Sequence, residues 1–325
     1  MTLYLTQDEV EQVLDMSSTL EAVEEAFEEM GKGNVEMPER VYLHFNKGVL
    51  IAMPAYMPGL NAAGTKLVTV HPENPKNFDL PAVIARIVLN DPDNGLPIAI
   101  MDGTYVTALR TGAAGATGIK YLSREDSRVA GVCGLGVQGR SQVSGLMEVR
   151  PGIEKIKCYD ISPEARERFV GEMRETFEKV EFIQVDSAEE AAQGSDILIT
   201  CTPSAEPFIS GKWLKQGCHI SAIGADTGAK RELETSVLER CDKLVVDFIP
   251  QAFAVGDFKA PKEEGVITEG DVYAELGEIV AGSKPGREGA EEITLFKATG
   301  LAIQDVGTAF KVYKLAKAKG IGKEI

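Results

Sequence analysis

The run Arg128-Val129-Ala130-Gly131-Val132-Cys133, followed at once by Gly134-Leu135-Gly136-Val137-Gln138-Gly139, constrains this chain more than any other segment. A buried-strand pattern leads into three glycines spaced GxGxxG, and a helical pattern begins near Val137. Each glycine has its own physical task. Gly134 permits a tight turn, Gly136 lets a pyrophosphate approach the backbone, and Gly139 allows close packing of helix on strand. The phosphates would sit at the positive end of the helix, beside Val137 and Gln138. The spacing alone is weak evidence, but its context strengthens it. Asp160 ends the next predicted strand, 21 residues beyond Gly139, where an acidic side chain can bind a ribose 2′-hydroxyl. A carboxylate there would repel a 2′-phosphate, so the expected cofactor is NAD rather than NADP. Ile161 and Ser162, next in sequence, belong to the same expected cofactor-binding stretch, and no arginine follows directly.

The surrounding chain repeats the alternation. Residues 153–160, 181–186, 196–203, 219–226 and 242–248 read as short strands between helical stretches, which predicts a parallel sheet covered on both faces. The earlier residues differ in character. Thr6 with Glu9 forms a capping box, and a second helix follows Thr19 with Leu20, Val23, Phe27 and Met30 on one face. Residues 41–45, 48–57, 66–70 and 83–90 read as strands. The turn Asp91-Pro92-Asp93-Asn94-Gly95 makes 83–101 a hairpin. A Gly/Ala-rich helix spans about 105 to 122, residues 292–296 form a further strand, and an amphipathic helix covers about 301 to 319. That last helix lacks a partner in the alternating block and is expected to return to the first domain. The fold class is therefore α/β. The alternating block, 121–300, is expected to be a Rossmann-type doubly wound parallel sheet, with 1–120 and 301–325 outside it.

Composition narrows the function. With 34 Lys plus Arg against 50 Asp plus Glu, the 325-residue chain carries a net charge of −16. That argues against nucleic acid, which requires a basic face to displace counterions, and against anionic membrane surfaces. The 44% apolar content is enough for a sizeable core. No apolar run approaches the length of a transmembrane helix, and the N-terminus lacks the pattern of a signal peptide. Five cysteines without CxxC spacing predict neither a disulfide framework nor a metal site. The expected location is cytoplasmic.

Three basic residues lie in apolar or small surroundings: Arg40 after Met37-Pro38-Glu39, Lys66 opening Lys66-Leu67-Val68-Thr69-Val70, and Arg110 within Ala108-Leu109-Arg110-Thr111-Gly112. Such a cation can hold a carboxylate or polarise a C=O or C=N bond. Asp226 ends the predicted strand 219–226, and the C-terminal ends of parallel strands face the ligand crevice. His71 follows a strand and could face a site, while His44 and His219 read as packed histidines.

These residues resemble the ornithine cyclodeaminase/mu-crystallin family, most closely its archaeal-type alanine dehydrogenase branch. The likeness runs almost end to end. It rests on Met37-Pro38 to Val41, Gly64-Thr65-Lys66, His71-Pro72-Glu73-Asn74, Leu109 to Ala114, the 134–139 loop, Ile223-Gly224-Ala225-Asp226 and Gly300 to Asp305. The resemblance implies a homodimer, a discontinuous α+β substrate and dimerisation domain of 1–120 plus 301–325 with the 121–300 domain inserted in it, and a small amino-acid or 2-oxo-acid substrate. It implies that Lys66 and Asp226 are catalytic, and that Arg40, Lys66 and Arg110 bind substrate. It adds Arg110, Thr202, Ser221, Ala222, Ile223 and Lys230 to the cofactor contacts. The implied reaction is NAD-dependent oxidative deamination of L-alanine to pyruvate and ammonia. Ornithine cyclodeamination and cyclic-ketimine reduction are alternatives, and a non-catalytic NAD-binding protein is a reading from another class. Three places depart from the family pattern. Ile51 stands where the cyclodeaminases carry a glutamate for the distal amine, Gly228-Ala229 replaces the usual Pro-Gly between Asp226 and Lys230, and Ala298 replaces a cofactor-contacting serine.

Overall fold

The computed structural model describes all 325 residues, Met1–Ile325. They form two compact units, one of Met1–Arg110 with Leu301–Ile325 and one of Thr111–Gly300.

The first unit is built on a seven-stranded sheet. Its strands are β1 (Leu3–Leu5), β2 (Val41–Phe45), β3 (Gly48–Met57), β4 (Ala62–Val70), β5 (Val83–Asn90), β6 (Pro97–Asp102) and a closing strand Lys323–Glu324. The spatial order is closing strand, β1, β6, β5, β4, β3, β2. Only β1 and β6 pair in parallel. The β5–β6 hairpin closes as its turn chemistry predicts. Asp91 Oδ1 accepts the Asp93 N–H at 2.9 Å, and Gly95 takes the left-handed conformation at φ 77°.

Two helices of this unit begin at side-chain caps. The Thr6/Glu9 capping box is formed. The second helix, Met16–Gly31, starts before Thr19 because Asp15 caps it, accepting the Ser18 N–H at 2.8 Å. The C-terminal helix Ala302–Lys319 packs on β3, β4 and β5 and against Met16–Gly31. β4 begins at Ala62 rather than Lys66, since pairing with β3 and β5 carries the ladder through Gly64.

The second unit contains an eight-stranded sheet, all of its pairs parallel. Its strands are β7 (Val129–Cys133), β8 (Lys155–Tyr159), β9 (Glu181–Gln184), β10 (Ile197–Thr200), β11 (His219–Ala222), β12 (Lys243–Val246), β13 (Ala274–Glu275) and β14 (Thr294–Lys297). They lie in the order β13, β12, β14, β11, β10, β7, β8, β9. The chain thus starts at the middle of the sheet and winds outward to both edges, the Rossmann-type arrangement. Both faces are buried. Ile197 and Ile199 enter one apolar cluster with Leu146 and Phe169, while Leu198 enters the other with Ile220 and Phe258.

The division between units falls at Arg110/Thr111, inside the continuous helix Thr104–Leu122, and not at 120/121 as the composition shift indicated. Small residues explain the difference. A Cβ at Gly112 would strike Ser141, and one at Gly118 would strike the Phe296 ring, so the later turns of this helix pack tightly within the second unit.

Two glycine substitutions should move stability in opposite directions under urea denaturation. Gly131→Ala drives a Cβ into the Ala191 carbonyl and should cost about 1–3 kcal/mol. Gly171→Ala, on the exposed side of the helix Pro163–Thr176 with open space around it, should gain about 0.5–1 kcal/mol.

Candidate active site

Lys66 is the candidate catalytic residue of the first unit. It lies in mid-strand, opposite Met53 on β3 and Ile87 on β5. Strand alternation puts Ile51, Ala55 and Val68 on the same face, the face covered by the C-terminal helix. Lys66 is 1% exposed, and its ammonium donates to Asp305 Oδ1 at 2.6 Å. Arg110 Nε donates to the same oxygen at 2.9 Å, and its Nη1 donates to Gln304 Oε1 at 2.8 Å. Asp305 is fully buried, and its Oδ2 makes no hydrogen bond within the chain. Arg40, just before β2, lies within electrostatic reach of Lys66.

This setting determines the proton affinity of Lys66. Burial disfavours its ammonium, the Arg110 charge repels it and Arg40 adds to the repulsion, while Asp305 pulls the other way; the amine is lowered to about 7. It can therefore hold or release a proton near neutral pH. With Lys66 protonated, two buried cations share one oxygen of a single carboxylate.

In the second unit the glycine loop has the shape that a pyrophosphate requires. Gly134 adopts φ 97°, and a Cβ there would lie 2.7 Å from the Cys201 carbonyl oxygen. A Cβ on Gly139 would collide with the Gly134 carbonyl, whereas Gly136 faces open space. The helix Val137–Val149 begins at Gly136 without a side-chain cap. The N–H groups of its first turn, beginning at Val137 and Gln138, are thus open to an anion. Asp160 ties this loop to the end of β8, since Oδ2 accepts the Leu135 N–H at 2.9 Å and Oδ1 the Ser162 N–H at 3.0 Å. Ile161 is exposed, while the Ser162 hydroxyl caps the next helix through Ala165 N–H at 3.1 Å. These residues fit a dinucleotide.

Farther along the sheet, Thr202 follows β10, Ser221 and Ala222 end β11, and Ile223 comes next. Asp226 does not end a strand. β11 stops at Ala222, so Asp226 lies in the following loop, about half exposed and 2.6 Å from Lys230 Nζ. The β pattern was extended too far because Ile223 and Ala225 are buried as loop residues. His44 is also corrected: it is exposed on β2 and stacks on Tyr42. His219 is buried, with Nδ1 2.9 Å from Thr294 Oγ1. No helix is long and apolar enough to cross a membrane.

Sequence reasoning did not single out Asp305 or Gln304. The available signal was an acid and an amide within Leu301-Ala302-Ile303-Gln304-Asp305-Val306, an otherwise apolar start to a helix. Asp305→Ala would leave Lys66 and Arg110 facing each other without a counter-ion. Denaturant unfolding should show a loss of about 3 kcal/mol, the low end for a broken buried pair because Lys66 can shed its proton.

Comparison with known proteins agrees with this geometry. The model of the ornithine cyclodeaminase/mu-crystallin family matches residues 1–320. The alanine dehydrogenase of Archaeoglobus fulgidus is 45% identical over 324 residues, covering 100% of this chain and 98% of that protein. The structure of an archaeal alanine dehydrogenase dimer with bound NAD superposes with a TM-score of 0.94 at 44% identity, covering 100% of this chain and 98% of that one. Thermococcus litoralis Δ1-pyrroline-2-carboxylate reductase, in complex with NADH and L-proline, gives a TM-score of 0.94 at 42% identity with full coverage of both chains. With one family model spanning the chain, a glycine loop shaped for a dinucleotide and a buried Lys–Arg–Asp cluster beneath its last helix, this protein belongs to the ornithine cyclodeaminase/mu-crystallin family.

Proposed function

We propose that this protein is an NAD-dependent enzyme that oxidatively deaminates a small L-amino acid, L-alanine to pyruvate and ammonia, in a reversible reaction. The observation that carries this reading is the buried pair of cations, Lys66 and Arg110, on one oxygen of Asp305, on a sheet face that is otherwise apolar. Arg40, Lys66 and Arg110 would bind the substrate carboxylate. Gly134, Gly136, Val137, Gln138, Gly139 and Asp160, with Ile161, Ser162, Thr202, Ser221, Ala222, Ile223 and Lys230, would hold the cofactor. NAD, when bound, accepts the substrate's α-hydrogen as hydride. The resulting iminium adds water and releases ammonia, and Lys66 is assigned the proton transfers because its amine titrates near neutrality. Asp226, paired with Lys230, is the second candidate for that role.

Substrate size follows from the face around Lys66. Ile51, Met53, Ala55, Val68 and Ile87 surround it, and none can pair a second ammonium. An unpaired buried charge is costly, which disfavours ornithine and favours a small or cyclic apolar side chain. The second reading is therefore reduction of a cyclic imine such as pyrroline-2-carboxylate. It is supported by the likeness to the Thermococcus litoralis reductase structure with NADH and L-proline. A purely NAD-binding, non-catalytic role would leave a buried amine lowered to about 7 without a purpose.

Purified protein with NAD and a panel of amino acids separates these readings. NADH, pyruvate and ammonia from L-alanine are expected. Proline formed from ornithine without net NADH would overturn the proposal, and much faster reduction of pyrroline-2-carboxylate than of pyruvate with ammonia would favour the second reading. Lys66→Ala should lose turnover by about 10²-fold or more, as expected on removing a general acid–base, while retaining NAD binding.

The pH profile follows from the Lys66 amine. Below about 7 it is protonated and cannot accept a proton, so kcat/KM for deamination should rise through pH 7. Asp305→Asn removes the charge that raises this pKa, so the limb should move to lower pH.

We further propose a homodimer. Val41, Tyr42, Leu43 and Phe45 on β2, with Phe78, Leu80 and Val83, are large apolar residues left exposed, and such patches mark interfaces. Sedimentation velocity should give twice the 35.0 kDa chain mass, and Leu43→Glu should shift the protein towards monomer.

A further inference from the structure

Among the wholly buried charged side chains of the second unit, three lie close together outside the glycine loop. Glu232, Asp257 and Lys297 are each 0% exposed. Such groups are almost never buried unless paired, and their partners here form a chain of contacts. Lys297 Nζ, at the end of β14, lies 3.1 Å from Asp257 Oδ2. Asp257 Oδ1 accepts the N–H groups of Glu232 at 2.6 Å and Leu233 at 2.9 Å, fixing the backbone that carries the Glu232 side chain.

The Glu232 carboxylate then reaches two strand ends. Its Oε1 accepts the Thr202 N–H at 2.6 Å and the Thr202 hydroxyl at 2.8 Å. Its Oε2 accepts the Thr200 hydroxyl at 2.8 Å and the Gly224 N–H at 2.9 Å. Thr202 and Gly224 each lie two residues beyond the ends of β10 and β11. A Cβ on Gly224 would come within 2.6 Å of Glu232 Oε1 and collide with the Thr202 backbone, so only glycine lets the three groups meet. Burial and the Asp257 charge push the Glu232 carboxyl up, while Lys297 and the Thr202 donors act against them. All four partners donate, which suits an acceptor-only carboxylate and excludes an amide of the same size.

Strand order says which part of a dinucleotide these segments would serve. β7 lies between β8, whose end carries Asp160, and β10, with β11 beyond. A dinucleotide spans the point where strand order reverses, so the ribose next to adenine falls on the β8 side and the nicotinamide half on the β10–β11 side. We infer that Glu232 is a positioning residue for the nicotinamide half of the cofactor, clamping the segment at Thr202 to the segment at Ser221–Gly224. Asp257 and Lys297 hold Glu232 in place. The inference rests on the NAD reading above.

The test compares NAD with ADP-ribose, which keeps the pyrophosphate and both riboses but lacks nicotinamide. Binding of both is measured calorimetrically to wild type, Glu232→Gln and Thr200→Val, with thermal unfolding as the check on folding. Glu232→Gln places an amide NH₂ against donors and should weaken NAD about 10-fold or more, by loss of charge-assisted bonds. ADP-ribose should change by less than about 3-fold on the same scale. Thr200→Val removes one donor, leaves the backbone unchanged and should shift the NAD to ADP-ribose ratio the same way by a smaller factor. An equal loss of both ligands, or no loss of either, would show that Glu232 is only structural and overturn the inference. If Glu232→Gln fails to fold, Thr200→Val decides by the same criterion. Wild-type protein that binds neither ligand would overturn the NAD reading and this inference together.

Discussion

The carboxylate of Asp305, buried against the Lys66 ammonium and the Arg110 guanidinium, is the interaction on which the chemistry of the first unit depends. It brings together residues from mid-strand, from the helix Thr104–Leu122 and from the C-terminal helix. Two cations at this depth would repel each other and shed charge without it. With one acid between the two bases, Lys66 remains close to releasing its proton.

The second unit solves a different problem by similar means. Its parallel strands end in loops whose backbone N–H groups lie beyond the ladder and need partners. Asp160 supplies acceptors at the glycine turn, Glu232 does so at Thr202 and Gly224, and Asp247 does so at Thr299 and Gly300. In each case an acidic side chain holds the loop after one strand against a neighbouring segment. Part of the chain's excess of acid over base therefore fixes the shape of the sheet's C-terminal edge.

How much of this was legible in the sequence depended on how local the cause was. The glycine loop, the hairpin at Asp91–Gly95 and the Thr6/Glu9 cap depend on residues a few positions apart, and all three are present. The strand containing Lys66 begins before the apolar pattern at 66–70 indicates, because pairing with β3 and β5 carries the ladder through Gly64. Asp226 was placed on a strand because apolar residues precede it, although those residues are buried in a loop. Glu232 carried no local signal of function and Asp305 only its polarity in an apolar helix start, since their partners lie up to 239 residues away in the chain.

The sequence by itself determined the parallel α/β core, the dinucleotide loop and the identity of the basic residues, because periodicity and glycine geometry act over a few residues. Only the tertiary structure decided which acid answers which base. Ion pairing inside a protein depends on burial and separation in space, and neither can be read from spacing along the chain. Lys66 became a group that titrates near neutrality, and Glu232 a clamp on two strand ends, only when folding removed both from water and fixed their partners.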